Sequence, residues 1–214
     1  MSAAPHTLLL ICDLQERKRQ DIWEFDAMSS MISKMVRAAK ILEIATLTTE
    51  QNSKALGTIE EVGQHLQQLQ HNNLGIYKKN RLSMQTEGTR RGVDFNKYDT
   101  FIVTGIEAHV CILQTALDLL RLESKPTVFI LADCISSGNN QEIPIALRRM
   151  ERDGAIITTS ESVLFELLGE LQEHDYELVT NNGIGDADHP KFEALVDLIK
   201  EEKENTRKAL AALL

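Results

Sequence analysis

The chain has 214 residues, 43% hydrophobic and 26% charged, proportions of a compact domain that can bury a core without disulfides or a structural metal. Lys and Arg number 23 against 32 Asp and Glu. The formal net charge of −9 repels phosphate backbones and argues against nucleic acid as the main partner.

The longest apolar runs are strand-length, short of the ~20 residues that a membrane-spanning helix needs, so no membrane association is expected. Segment Met1–Thr7 has neither an apolar export core nor an Arg-rich amphipathic pattern. Three cysteines (Cys12, Cys111, Cys134) cannot all pair and none sits in a CxxC, which suits a reducing compartment. A cytoplasmic location is the expectation, with an organellar one left open.

In chain order, strand-like apolar runs occur at Thr7–Cys12, Ile44–Thr48, Leu74–Tyr77, Thr100–Thr104, Thr127–Leu131 and Ala155–Thr158. They lack polar alternation, as strands of a parallel sheet covered on both faces do. Between the first two lies Ala27–Leu42, with Met28, Met31, Ile32, Met35, Val36, Ala39 and Leu42 at helical spacing. Ala108–Leu122 and Glu142–Arg152 read as helices in the same way, the latter closed by Gly154. Segment Arg81–Lys97 is polar, carries Gly88 and Gly92 and predicts a loop or short helix. Segment 170–188 is irregular around the Asn181-Asn182-Gly183 turn, and Pro190–Leu214 predicts a terminal helix with a charged, Ala/Leu-rich tail. Alternating strands and helices imply right-handed crossovers. The expected fold is α/β: a three-layer α/β/α domain around a six-stranded, mostly parallel, doubly wound sheet, with no second core.

Ligands of such sheets bind at the carboxyl ends of the strands, which directs attention to three residues. Asp13 follows an apolar strand, where it serves either as an active-site carboxylate or as a helix N-cap; the residues alone leave both open. Cys111 falls in the first turn of the helix after the fourth strand, where free amides and the helix dipole favour a thiolate. A buried inert cysteine is the structural alternative. Lys78-Lys79 ends the third strand and reaches the same edge, unless both are solvated surface lysines.

Cys12 is expected to point away from Asp13, because strand neighbours alternate faces, and so to be core. Cys134 reads as structural, and His109, two residues before Cys111, as a rim residue. The histidines (His6, His65, His71, His109, His174, His189) show no metal-binding spacing, and no GxGxxG or P-loop is present. No metal or cofactor is therefore expected.

Taken together, Cys12-Asp13-Leu14-Gln15, Lys79 and Gly105-Ile106-Glu107-Ala108-His109-Val110-Cys111 resemble the isochorismatase-like hydrolases, and more closely their isochorismatase domain-containing subgroup. Leu47-Thr48-Thr49-Glu50-Gln51, Leu82-Ser83-Met84, Cys111-Ile112-Leu113-Gln114-Thr115 and Thr158-Thr159-Ser160-Glu161-Ser162 are similar too. The resemblance covers most of Thr7–Gly169 and returns over Gly185–Lys200. On it, the whole chain is one such domain, with an insertion at 170–185 and a C-terminal helix and tail at 190–214.

The resemblance implies a catalytic triad of Asp13, Lys79 and Cys111, with Lys79 rather than Lys78 in register with Met84. It also implies an oxyanion hole from the backbone N–H groups of Glu107 and Cys111, and a cis peptide at Ile106–Glu107. Gln15, Gln51, Ile106 and Ile112 become pocket candidates. A homo-oligomer, dimer or tetramer, is the expected assembly.

The chain departs from the wider superfamily in places. The nicotinamidases' metal-binding Asp-x-His segment is replaced by Thr49-Glu50-Gln51-Asn52-Ser53, without a histidine. The subgroup's aromatic-Pro pair is replaced by Asn52-Ser53, and its Thr and aromatic after the lysine by Asn80 and Leu82.

The resemblance implies hydrolysis of a small amide, imide or carbamoyl compound through a cysteine nucleophile. Vinyl-ether hydrolysis of the isochorismatase type, with Asp13 as acid and no covalent step, is one alternative. A non-catalytic binding or scaffold protein with a vestigial pocket is another. Some relatives carry a ribonuclease label, against which the charge of −9 argues.

Overall fold

The computed structural model describes residues 6–51, 57–170 and 189–213. Six strands form one sheet in the order β3-β2-β1-β4-β5-β6, every neighbouring pair parallel. They are β1 (Thr7–Cys12), β2 (Ala45–Gln51), β3 (Asn73–Lys79), β4 (Thr100–Ile106), β5 (Thr127–Ser136) and β6 (Ile156–Thr158). The run Leu8-Leu9-Leu10-Ile11-Cys12 is buried along its whole length because β1 is central and both of its faces are covered. Its alternate residues feed two cores.

Leu9 and Ile11 enter a cluster with α1 (Phe25–Leu42), α2 (Glu60–Gln67), α6 (Ser160–Glu170), α7 (Phe192–Glu201) and α8 (Lys203–Leu213). Leu8, Leu10 and Cys12 enter the opposite cluster. That one holds Val93, Ile112, Ala116 and Ile143, on or beside α3 (Glu87–Gly92), α4 (Leu113–Leu120) and α5 (Glu142–Arg152). The three-layer α/β/α expectation holds, and the sheet is wholly parallel. Among the described residues no helix is long and apolar enough to cross a membrane.

Helix α1 buries all seven apolar positions read from its spacing. It also buries Lys34, whose Nζ donates to Thr206 Oγ1 of α8 at 3.0 Å and ties the C-terminal region to the domain. The terminal segment is two helices rather than one, broken at Glu202. Two further helices escaped the sequence reading. Helix α2 buries only Val62 and Leu66, too few to declare a period. Helix α6 has its buried residues in adjacent pairs, Val163-Leu164 and Leu167-Leu168, which periodicity alone does not separate from a buried strand. The insertion expected at 170–185 lies outside the described residues, apart from Glu170 at the end of α6.

Segment Arg81–Lys97 contains α3 and is pinned down by Met84 N donating to Thr115 Oγ1 at 3.0 Å and by Thr89 Oγ1 donating to Met84 O at 2.7 Å. At the end of β4 the chain passes so close to β1 that only glycine fits. Gly105 has φ +108°, and a Cβ there would lie 2.1 Å from the carbonyl oxygen of Cys12. Gly154 has φ +112° but open space, its nearest contact being Leu120 Cδ2 at 3.8 Å.

Gly105→Ala is expected to destabilise by about 3 kcal/mol or more, and Gly154→Ala by about 1–2 kcal/mol, the conformational cost alone. Urea unfolding midpoints check this; equal shifts for the two variants would contradict the steric account.

Candidate active site

The strand order reverses direction between β1 and β4, the switch point at which an open α/β sheet leaves a crevice. Asp13 follows β1, Cys111 follows β4, and Lys79 is the last residue of β3, all at the same sheet edge. Two steps across the sheet separate β3 from β1, about 9–10 Å, a span that a long side chain can close. Lys78 is exposed and Lys79 buried, as alternation along a strand requires.

Lys79 Nζ lies 2.7 Å from Asp13 Oδ2 and 3.5 Å from Cys111 Sγ. It also donates to Gln51 Oε1 (2.6 Å), Leu82 O (2.9 Å) and Arg81 O (3.1 Å). Gln51 is the register partner of Lys79 on β2, so its side chain leaves the sheet beside the ammonium. Gln15 is buried, its Oε1 accepts from Gln51 N at 2.9 Å, and its own N–H donates to Asp13 O at 2.8 Å. The peptide between Ile106 and Glu107 is cis. Cys111 then sits in a π-helical turn, Ala108–Ile112, in which the Val110 and Ile112 amides both donate to Glu107 O.

One expectation needs correcting. Cys12 does not point away from Asp13: its Sγ, an Asp13 carboxylate oxygen and Cys111 Sγ all lie within 4.8 Å of one another. The reason is local. Asp13 has φ +52°, in the left-handed region, so the alternation of the strand stops at Cys12 and the next side chain turns back to the same side. Thr49, paired with Cys12 in the sheet register, completes this corner by donating from Oγ1 to Asp13 Oδ1 at 2.9 Å. Neither role follows from residue type, although both positions lie inside the segments that carried the family resemblance.

The electrostatics separate the two sulfurs. Cys111 is held below the ordinary thiol range, first by the hydrogen bond from the Cys12 thiol and then by the Lys79 charge, which together outweigh burial and the Asp13 carboxylate. Cys12 is pushed well above that range, mainly by complete burial. For Lys79 burial acts downward, but the negative charge available at Cys12, Asp13 and Cys111 outweighs it and raises the pKa. The arrangement favours an ammonium between a carboxylate and a thiolate.

Cys12, Asp13 and Cys111 are the one grouping of three metal-type ligands among the described residues. The Lys79 ammonium lies within bonding distance of two of them, Asp13 and Cys111. Thr49, Glu50 and Gln51, where nicotinamidases carry their metal segment, are engaged instead with Asp13, Thr58 and Lys79.

Of the remaining candidates, Ile106 and Ile112 are fully buried in the two hydrophobic clusters, on opposite faces of the sheet, and offer no open wall. His109 is half-buried, its Nδ1 3.0 Å from Ser137 Oγ. The Glu107 carboxylate accepts from Gly138 N at 3.0 Å. Leu82 is exposed and Asn80 O accepts from Gln51 Nε2 at 3.4 Å; residues 52–53 lie outside the described residues.

The Isochorismatase domain family matches residues 7–162. Isochorismatase domain-containing protein 2 of Xenopus laevis is 35% identical over 197 residues, covering 91% of this chain and 84% of that protein. Isochorismatase family protein 1B of Dictyostelium discoideum is 34% identical over 200 residues, 92% of this chain and 87% of that protein. The solved structure of MAR1 ribonuclease from Caenorhabditis elegans is similar with a TM-score of 0.73 and 33% identity, covering 92% of this chain and 91% of that one.

Alkylation of Cys111 by iodoacetamide, followed by peptide mass, is expected to rise with pH at a midpoint below that of free cysteine. Removing the ammonium with Lys79→Met raises the Cys111 pKa and moves the midpoint upward. An unmoved midpoint would remove Lys79 from the activation of the thiol.

Proposed function

Because the chain belongs to the isochorismatase family of hydrolases, we propose that it hydrolyses a small amide, imide or carbamoyl compound through Cys111 as nucleophile, in a triad with Asp13 and Lys79. The observation that carries this reading is the bridging ammonium, 2.7 Å from the Asp13 carboxylate and 3.5 Å from the Cys111 sulfur. Such a contact ionises a thiol and holds a proton acceptor beside it.

Asp13 takes the Cys111 proton, and the thiolate attacks the acyl carbon. The backbone amides of Glu107 and Cys111 receive the developing oxyanion, a contribution of about 3–4 kcal/mol per donor in comparable sites. Asp13 then returns its proton to the leaving nitrogen, and the thioester remains on Cys111. With the amine gone, the Asp13 carboxylate draws a proton from water, hydroxide attacks the thioester, and the acid product leaves as Cys111 is regenerated. Lys79 stays protonated throughout and holds Asp13 and Cys111 in contact. Gln15 and Gln51 support that contact from β1 and β2 and present amide groups at the same edge, suited to a polar, hydrogen-bonding substrate.

The domain is read as a single unit over 1–214, in a reducing cytoplasmic setting suited to its three unpaired thiols, and as a homodimer or homotetramer. The name of the C. elegans structure raises RNA as a substrate. The net charge of −9, and the engagement of Arg19 by Glu16, Asp26 and Glu61, weigh against it.

In a panel of small amides, imides and carbamoyl compounds, Cys111→Ala is expected to lose turnover by about a thousandfold or more, and Asp13→Asn by about a hundredfold or more. Steady-state kinetics on the folded variants decide it. Turnover kept in Cys111→Ala but lost in Asp13→Asn would instead select non-covalent vinyl-ether hydrolysis, and no turnover in any assay together with tight ligand binding would select a binding protein.

A further inference from the structure

Hydrolysis as described gives Cys12 no covalent part, yet its sulfur belongs to the same group of atoms as the nucleophile. Cys12 Sγ, the Asp13 carboxylate and Cys111 Sγ share a sphere in which no two ligand atoms are more than 4.8 Å apart. Cys12 is fully buried, whereas Cys111 keeps 7% of its surface open. A small oxidant therefore meets Cys111 first, and Cys12 is reached only from inside the protein. The third cysteine takes no part: Cys134 packs in the opposite hydrophobic cluster, with its Sγ 3.6 Å from Asp133.

We propose that Cys12 and Cys111 are an oxidisable dithiol, a modification site whose co-reactant is a small hydroperoxide. The Cys111 thiolate, paired with Lys79, attacks the terminal oxygen of the hydroperoxide. A sulfur–oxygen bond forms, the oxygen–oxygen bond breaks, and the alkoxide leaves and is protonated to the alcohol (water, when the oxidant is hydrogen peroxide). Cys111 is then a sulfenic acid. Asp13, whose carboxylate lies within 4.8 Å of both sulfurs, takes the proton of Cys12. The Cys12 sulfur displaces hydroxide from Cys111, and the hydroxide leaves with that proton as water. The two sulfurs together lose two electrons and the hydroperoxide gains them.

Closing the bond requires the sulfurs to approach from no more than 4.8 Å to about 2.05 Å. Cys12 is held within 4.8 Å of Cys111 inside the protein, so the internal thiol intercepts the sulfenic acid before a second hydroperoxide arrives. The disulfide removes the nucleophile until a reductant restores it. The proposal needs Cys111 to be a reactive thiolate, not to be the hydrolytic nucleophile, so it stands apart from the hydrolase reading.

The test treats the reduced full-length protein with a small molar excess of hydrogen peroxide, quenches it, denatures it and counts free thiols, with peptide mapping under non-reducing conditions. Expected are three thiols before treatment and one after, a cross-linked pair of peptides carrying Cys12 and Cys111, a mass loss of two hydrogens, and full reversal by dithiothreitol. In Cys12→Ser, Cys111 is expected to proceed to sulfinic acid that dithiothreitol does not reverse, and Cys134→Ser is expected to leave the cross-link intact. Wild-type protein carrying sulfinate at Cys111 beside a free Cys12 thiol would overturn the proposal, as would three thiols surviving the treatment. The wild-type peptide map decides the matter even if Cys12→Ser does not fold.

Discussion

A buried ammonium is the constraint around which this sheet edge is built. The Lys79 side chain is fully shielded, and an uncompensated charge in such a place costs several kcal/mol. Compensation comes from four directions: the Asp13 carboxylate from β1, the Gln51 amide from β2, the Arg81 and Leu82 carbonyls from the segment that follows, and the Cys111 sulfur from the turn after β4. Each partner fixes the end of a different element. Buried ion pairs of this kind add little net stability over apolar packing, and the arrangement's distinctive effect is to lower the pKa of the Cys111 thiol beside a carboxylate.

The layered fold was legible because its strands are apolar on both faces and its longest helix has seven apolar residues at clean spacing. Thr7–Cys12 and Glu142–Arg152 have the boundaries the pattern indicates. Other strands run on past it, β5 to Ser136 and β4 to Ile106, because the polar and small residues at their carboxyl ends continue the ladder while no longer looking like strand. Helices α2 and α6 were lost for opposite reasons, one with too little apolar surface to show a period and the other with too much.

At the site, position made Asp13, Lys79 and Cys111 candidates while leaving a structural alternative for each, and only the family resemblance joined them into one set. Their neighbours were not legible. Thr49 is one of several threonines in an apolar run, and only the register that sets it opposite Cys12 gives its hydroxyl to Asp13. Cys12 was misplaced by a rule that holds for extended backbone and fails at the single residue where Asp13 turns left-handed. Ile106 and Ile112 stand next to functional positions in sequence, yet they point into the two cores. Proximity along the chain is a poor guide where the backbone turns sharply.

The molecule assembles lysine, aspartate and cysteine a second time, and the contrast shows what sets the two thiols' pKa values apart. On the opposite face, Asp133 accepts from the Ser160 amide and hydroxyl, Cys134 lies against it, and Lys34 donates to Thr206. Lys34 makes no ion pair among the described residues, and burial together with the Asp133 carboxylate pushes the Cys134 thiol well up, leaving it neutral. All five residues are buried, and their bonds fasten α6 to β5 through Asp133 and α8 to α1 through Lys34. At the other set the cation lies against both carboxylate and sulfur, the thiol's pKa is driven down rather than up, and Cys111 keeps 7% of its surface open. The same three residue types give a fastening in one place and a thiol of lowered pKa in the other, and the position of the ammonium separates the two.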